Sequence, residues 1–202
     1  AAVAIADCVE AGGLVHTFGT GHSHLLALEL FYRAGGLAPV DPILDEPLML
    51  HDGAVASTAG ERTPGHAAQV AAQYPIEPGD VVIIASNSGG NAATTEMAAL
   101  CRERGATVIA LTSIAHATSA IARRTDTPRL HQLADIVLDN CGVPGDAVMS
   151  FPAPTGAVGP TSTVVGAALL QAVVTEAVAE LLERGVQPPI FRSANTDGGD
   201  EA

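Results

Sequence analysis

Short apolar runs recur along the chain, at residues 14–18, near Val40, at 81–84, at 107–111 and at 136–138, each closing in glycine, hydroxyl, amide or acidic residues. Runs of this length, rich in β-branched residues and bounded by turn formers, predict strands buried on both faces. Between them the apolar spacing becomes helical. It predicts an opening helix stopped at residues 11–13 and further helices at about 25–34, 64–74, 92–104 and 114–124. A longer helix starts from a cap at Thr161, Ser162 and Thr163 and reaches about Glu183, before Gly185 and Pro188-Pro189. Its apolar residues, Val164, Val165, Leu169, Val173 and Leu182 among them, cover more than one stripe. That predicts packing on the sheet on one side and on a partner subunit on the other. Residues 140–159, rich in Gly and Pro, read as a structured loop, and residues 40–50 as a strand followed by a loop that delivers His51 and Asp52. The alternation predicts one α/β domain over residues 1–202: a doubly wound, mostly parallel five-stranded sheet flanked by helices, a three-layer sandwich. The first residues read as the middle of a helix, so the N-terminal helix is expected to be incomplete, and residues 193–202 read as a polar tail.

The run at 81–84 ends in Ala85-Ser86-Asn87-Ser88-Gly89-Gly90-Asn91, immediately before a helical pattern. Two hydroxyls and several free backbone N–H groups at a helix N-terminus form a cradle for a phosphate. The first strand has the same design, running into Gly19-Thr20-Gly21-His22-Ser23-His24 before its helix, and the strand at 107–111 ends in Thr112-Ser113. In a doubly wound sheet all three strand ends open onto the carboxyl edge, where ligands bind.

Composition narrows the ligand. The formal charge of −13 argues against nucleic acid or an anionic membrane as a partner. The positive residues are all arginine; with no lysine, Schiff-base chemistry and the lysine of a nucleotide-binding P-loop are excluded. Three scattered cysteines, Cys8, Cys101 and Cys141, fit free thiols in a reducing cytoplasm. No signal peptide is evident, and the long uncharged stretch 147–175 is interrupted by prolines and glycines in its first half, which argues against a membrane span.

Phe18-Gly-Thr-Gly-His-Ser23, Ile84-Ala-Ser-Asn-Ser-Gly-Gly-Asn91 and Arg104-Gly-Ala-Thr-Val-Ile-Ala-Leu-Thr-Ser113 resemble the sugar isomerase (SIS) domain family, and the resemblance spans nearly the whole chain. Residues 135–140, Gly159-Pro-Thr-Ser-Thr163 and Phe191-Arg-Ser-Ala-Asn195 resemble a subgroup grouped with phosphosugar and phosphoheptose isomerases. The resemblance implies a sugar-phosphate ligand and no cofactor. It implies a phosphate held by Ser86 and Ser88, with Asn91 where the family usually has a hydroxyl. Ser23 would face the sugar or its phosphate, Gly21 and Asn87 lie in the same two loops, and Thr112 and Ser113 are additional contacts. For aldose–ketose isomerisation through a cis-enediol a carboxylate must move a proton between adjacent carbons. Glu29 is the candidate base and His51 the ring-opening histidine, with Glu46 and Asp52 in reserve. The resemblance further implies a homodimer or homotetramer, with sites completed by a neighbouring subunit.

Each assignment has an ordinary alternative. Glu29 and Arg33 stand at the i,i+4 spacing of a helical ion pair, His51 fits an ordinary loop, His131 a packing position and Cys101 the core. His22 and His24 are spaced for a metal but lack a third ligand, and Arg33 stands where zinc-type isomerases of the family carry one, so no metal is expected. A phosphosugar sensor without catalysis, and an amino-sugar-phosphate lyase or deaminase, remain open beside the isomerase. The etherase branch is disfavoured, because its Ala-Gly-Thr-Ser-Gly-Arg loop does not match His22-Ser23-His24.

Overall fold

The computed structural model of the protein describes residues 1–122, 127–193 and 195–196. The elements, in order, are α1 (Ala2–Glu10), β1 (Val15–Gly19), α2 (His24–Glu29), β2 (Val40–Ile43), α3 (Ala54–Gly60), α4 (His66–Ala71), β3 (Val81–Ala85), α5 (Ala92–Glu103), β4 (Thr107–Thr112), α6 (Ile114–Ala117), α7 (Leu130–Leu133), β5 (Ile136–Asp139), β6 (Ala147–Phe151), β7 (Gly156–Pro160) and α8 (Ser162–Glu183). Strands β1 to β5 form one parallel sheet in the order β2-β1-β3-β4-β5. β1 and β3, side by side at its centre, are buried along their whole length, as continuous apolar runs require. Pro42, which cannot donate to a ladder, sits in the edge strand β2.

Alternate side chains of the sheet feed two cores. Val82, Ile84, Val108 and Ala110 pack with Val70 of α4, Met97 and Cys101 of α5 and Leu130 of α7. Val81, Ile83, Ile109 and Leu111 pack with Ile5 of α1, Leu26 of α2 and Leu170 and Val174 of α8. The result is the three-layer sandwich that the alternation predicts. Burial pushes the Cys101 thiol up to about 12, against a smaller downward pull from Arg104, so this cysteine is an inert core residue. On the surface Arg184 ties the end of α8 to α1 through Asp7 and Glu10.

Several boundaries differ from the sequence reading. α2 stops at Glu29, because the chain then leaves the helix to bury Leu30 and Leu37 and to hydrogen-bond with Pro189 and Phe191. The expected helix at 114–124 is only α6, and part of its span lies outside the described residues, as does most of the 193–202 tail. The expected loop at 140–159 contains the hairpin β6–β7, exposed on nearly all its residues. By length and composition α8 could cross a membrane, with a mean hydropathy of 1.7. In this fold its buried stripe Gly166, Leu170, Val174, Ala177 and Leu181 faces the protein.

Candidate functional site

The strand order reverses direction between β1 and β3, since the chain goes from β1 outward to β2 and then back past β1 to β3. At such a switch point the loops leaving the two strands part, and a crevice opens at their carboxyl ends. Here that crevice is a cavity of about 340 Å³. Its lining includes Thr20, Gly21, His22 and Ser23 after β1, and Ser86, Asn87, Ser88 and Asn91 after β3. Thr58 and Glu61 contribute from the α3 segment, and His116, Gly145 and Asp146 from beyond β4.

The loop after β1 folds back tightly. A Cβ on Gly19 would lie 2.3 Å from the Ser23 carbonyl oxygen, so only glycine permits this corner. The Gly21 carbonyl oxygen lies 2.6 Å from His24 Nδ1, which fixes that buried ring away from the cavity. Thr20 Oγ1 donates to Glu61 Oε2 at 2.7 Å, bringing a carboxylate from a distant segment to the β1 loop.

In the loop after β3 the carbonyls are tied back into the protein. Asn87 O accepts from Ser113 N–H and Thr112 Oγ1, Ser88 O from Arg129 and Gly89 O from Leu130 N–H. Gly89 N–H donates to Ser86 Oγ at 3.1 Å, and Gly89 itself is left-handed (φ +58°). The backbone N–H groups of Asn87, Ser88, Gly90 and Asn91 have no acceptor among the described residues. Asn91 precedes α5 without a side-chain capping bond, and the first turn of α5 carries no acidic residue. Unused N–H groups, two hydroxyls and the positive end of a twelve-residue helix meet at one spot. That arrangement suits an oxyanion. Among the described residues the cavity wall carries no arginine, so charge there is met by dipoles and hydroxyls.

Of the residues proposed from sequence, Gly21, Ser23, Ser86, Asn87, Ser88 and Asn91 are brought together in the cavity wall. Asn87 is partly committed, its Oδ1 accepting from Asn140 Nδ2 at 2.9 Å. Four others are placed differently. Thr112 and Ser113 are fully buried and spend their hydroxyls inside the protein, Thr112 on Asn87 O and Ser113 on Gly142 O, so they brace the loops rather than line the cavity. The Glu29 carboxylate is held by Arg33 and by Gln171 Nε2, outside the cavity. His51 is exposed, its ring 6.1 Å from that of His24, and it is not in the cavity wall. His22 lines the cavity, and no group of three or more metal-ligating side chains occurs among the described residues.

Sequence reasoning missed Glu61, His116 and Asp146. The signals were faint: Glu61 lies in Gly60-Glu-Arg-Thr-Pro-Gly65 and Asp146 in Pro144-Gly-Asp146, charged residues in glycine- and proline-rich loops. Asp146 lines the cavity and clamps the base of the β6–β7 hairpin, accepting from the N–H groups of Thr161 and Ser162 and from both their hydroxyls. It therefore does for α8 the capping expected of Thr161. Partial burial opposes its charge, but these hydrogen bonds outweigh that and hold its carboxyl below the ordinary carboxylate range. A depressed folded-state pKa stabilises the protein above the unfolded value, and that contribution is lost as pH falls through the folded one. Asp146→Asn should therefore lower stability at pH 7 and flatten the acid limb of a denaturation-against-pH curve below about pH 4. An unchanged acid limb in the variant would contradict this role.

The sequence matches the SIS domain model over residues 1–113. A UPF0309 protein of Listeria monocytogenes serotype 4b is 45% identical over 196 residues, covering 97% of this chain and 79% of the relative. A UPF0309 protein of Brucella canis is 46% identical over 201 residues, covering 100% of this chain and 81% of the relative. Among solved structures, a phosphoheptose isomerase from Francisella tularensis superposes with a TM-score of 0.51 at 20% identity, covering 87% of this chain and 82% of that one, a likeness of fold.

Proposed function

The chain belongs to the SIS domain family, and we propose that it binds a sugar phosphate between β1 and β3 and interconverts its aldose and ketose forms. The observation that carries the reading is the 86–91 loop, with its two hydroxyls, unused N–H groups and helix N-terminus, facing the same cavity as the Glu61 carboxylate. With the phosphate held at Ser86 and Ser88, the sugar extends toward the β1 loop and Glu61. Glu61 takes the proton from the carbon beside the carbonyl, giving a cis-enediol, and returns it to the neighbouring carbon. Thr20 orients this carboxylate through one oxygen and leaves the other uncommitted. Glu61 replaces Glu29 in this scheme because Glu29 is occupied by Arg33 and Gln171. Incubation with pentose, hexose and heptose phosphates in D2O tests the chemistry: deuterium at C2 is expected. Tight binding without exchange would remove the isomerase and leave a phosphosugar sensor.

Self-association belongs to the same proposal. Leu25 and Leu28 of α2 and Val164 and Val165 of α8 are exposed on two helices that pack side by side. Apolar residues grouped in this way suit a second copy of the chain, in a homodimer or homotetramer. Sedimentation should show an oligomer that Val164→Glu with Val165→Glu converts to monomer; a monomeric wild type at micromolar concentration would contradict it. With its cysteines free, Cys8 and Cys101 among them buried, the protein suits a reducing compartment such as the cytoplasm.

A further inference from the structure

We propose that His116 is a ligand-binding residue of this site, its Nε2–H donating to an oxygen of the sugar rather than of the phosphate. The proposal rests on the phosphosugar reading above and adds to it the donor that recognises the other end of the ligand.

His116 lies in α6, a single turn after β4, and lines the cavity together with Ser86, Ser88 and Glu61. Its backbone is pinned at both ends. Ser113 Oγ accepts from His116 N–H at 3.0 Å, and Ser119 Oγ donates to His116 O at 2.8 Å. The ring is pinned as well, because Gly145 N–H donates to its Nδ1 at 2.8 Å. A nitrogen that accepts carries no hydrogen, so the ring hydrogen sits on Nε2. Gly145 is in turn held in place by Asp146, which is fixed to the start of α8 by four hydrogen bonds. The tautomer is therefore preset by the backbone before any ligand arrives.

No partner for Nε2 exists among the described residues, and it is not among the polar atoms buried without one. The residue is half-buried in the cavity wall, so this N–H is an oriented and unused donor. The phosphate does not require it, since the loop after β3 already supplies two hydroxyls and the unused N–H groups of Asn87, Ser88 and Asn91. The uncommitted groups left over in the wall include an acceptor, the second oxygen of Glu61, and a donor, Nε2–H of His116. A sugar presenting a carbonyl and neighbouring hydroxyls offers the complementary set.

Two substitutions separate this role from a structural one. Asparagine places a carbonyl oxygen where Nδ1 stood, keeping the Gly145 bond but leaving nothing at Nε2. Glutamine carries its amide out to the Nε2 position. Titrations use inorganic phosphate and a panel of ribose 5-phosphate, fructose 6-phosphate and sedoheptulose 7-phosphate. Calorimetry should show His116→Asn binding inorganic phosphate as wild type does, but the tightest sugar phosphate about 10-fold more weakly, the loss of one hydrogen bond. His116→Gln should recover part of that loss. In 15N-labelled wild type the sugar phosphate should shift the His116 Nε2–H signal, while inorganic phosphate shifts only the amides of residues 86–91. Wild-type sugar-phosphate affinity in His116→Asn would overturn the proposal, as would an equal loss of phosphate and sugar phosphate. So would a wild type that binds no sugar phosphate more tightly than inorganic phosphate. If the 86–91 amides respond to neither probe, the phosphosugar reading itself falls, and that outcome is separate from a failure at His116 alone.

Discussion

Ser86→Ala combined with Ser88→Ala is expected to abolish phosphosugar binding while leaving the protein folded. Both hydroxyls stand in the cavity wall at the end of β3. A hydrogen bond to a charged group contributes about 1.5–3 kcal/mol. Losing two therefore amounts to about 3–6 kcal/mol, or roughly 100-fold to 10,000-fold in affinity. The structural cost is smaller. Ser86 Oγ accepts one internal bond, from the buried Gly89 N–H, and leaving that N–H unpaired costs about 1–3 kcal/mol. The strand beneath is held by apolar packing and by its ladders to β1 and β4. Calorimetric titration should show no binding in the double variant, which stays cooperatively folded with its unfolding midpoint lowered by no more than about 10 °C. Affinity within about threefold of wild type would place the phosphate elsewhere.

The second large effect is catalytic. Glu61→Gln should lower deuterium incorporation at C2 by about 100-fold to 10,000-fold, the range expected for loss of a general base, with affinity close to wild type. Glutamine keeps the shape of glutamate, still accepts from Thr20 Oγ1 through its amide oxygen, and leaves in place the Glu61 backbone carbonyl that accepts from Ala93 N–H. A fall in exchange without a fall in binding therefore reports chemistry rather than packing. Glu29→Gln is the matched control. It removes a charge held by Arg33 on a half-exposed face and should leave exchange unchanged. The opposite pattern, with Glu29 essential and Glu61 dispensable, would reverse the assignment made from the cavity.

These two predictions also mark where the sequence was informative. β3 and the Ser86-to-Asn91 loop were legible because everything that makes them is local: a continuous apolar run, then small polar residues, then a helical period. The same holds for β1 and the Thr20-to-Ser23 loop, and the alternation of elements was enough to bring both loops to one edge of the sheet. Glu61 was not legible, because its role comes from a contact between residues 41 positions apart. The preceding helix α3, Ala-Val-Ala-Ser-Thr-Ala-Gly, has no apolar stripe to announce it.

Thr112 and Ser113 show the complementary failure. Their position at a strand end was read correctly, but a hydroxyl in sequence does not say which acceptor it will find. Ser113 finds the Gly142 carbonyl, brought to it by the loop after β5. For Glu29 the i,i+4 spacing to Arg33 was visible from the start, and it describes the pairing observed. The β6–β7 hairpin escaped because its segment is rich in Gly and Pro, and its two ends are joined by a contact distant in sequence, Asp146 accepting from the N–H groups of Thr161 and Ser162.

Whether the loop at the β1–β3 switch point holds the phosphate of a sugar phosphate is decided by a crystal structure with the tightest-binding sugar phosphate of the panel. Phosphate oxygens are expected within hydrogen-bond distance of Ser86 Oγ, Ser88 Oγ and the N–H groups of Ser88 and Asn91, with the sugar reaching toward Glu61. A phosphate lying instead in the adjacent cavity of about 390 Å³, beside Arg62, Pro64 and Thr95, would contradict it.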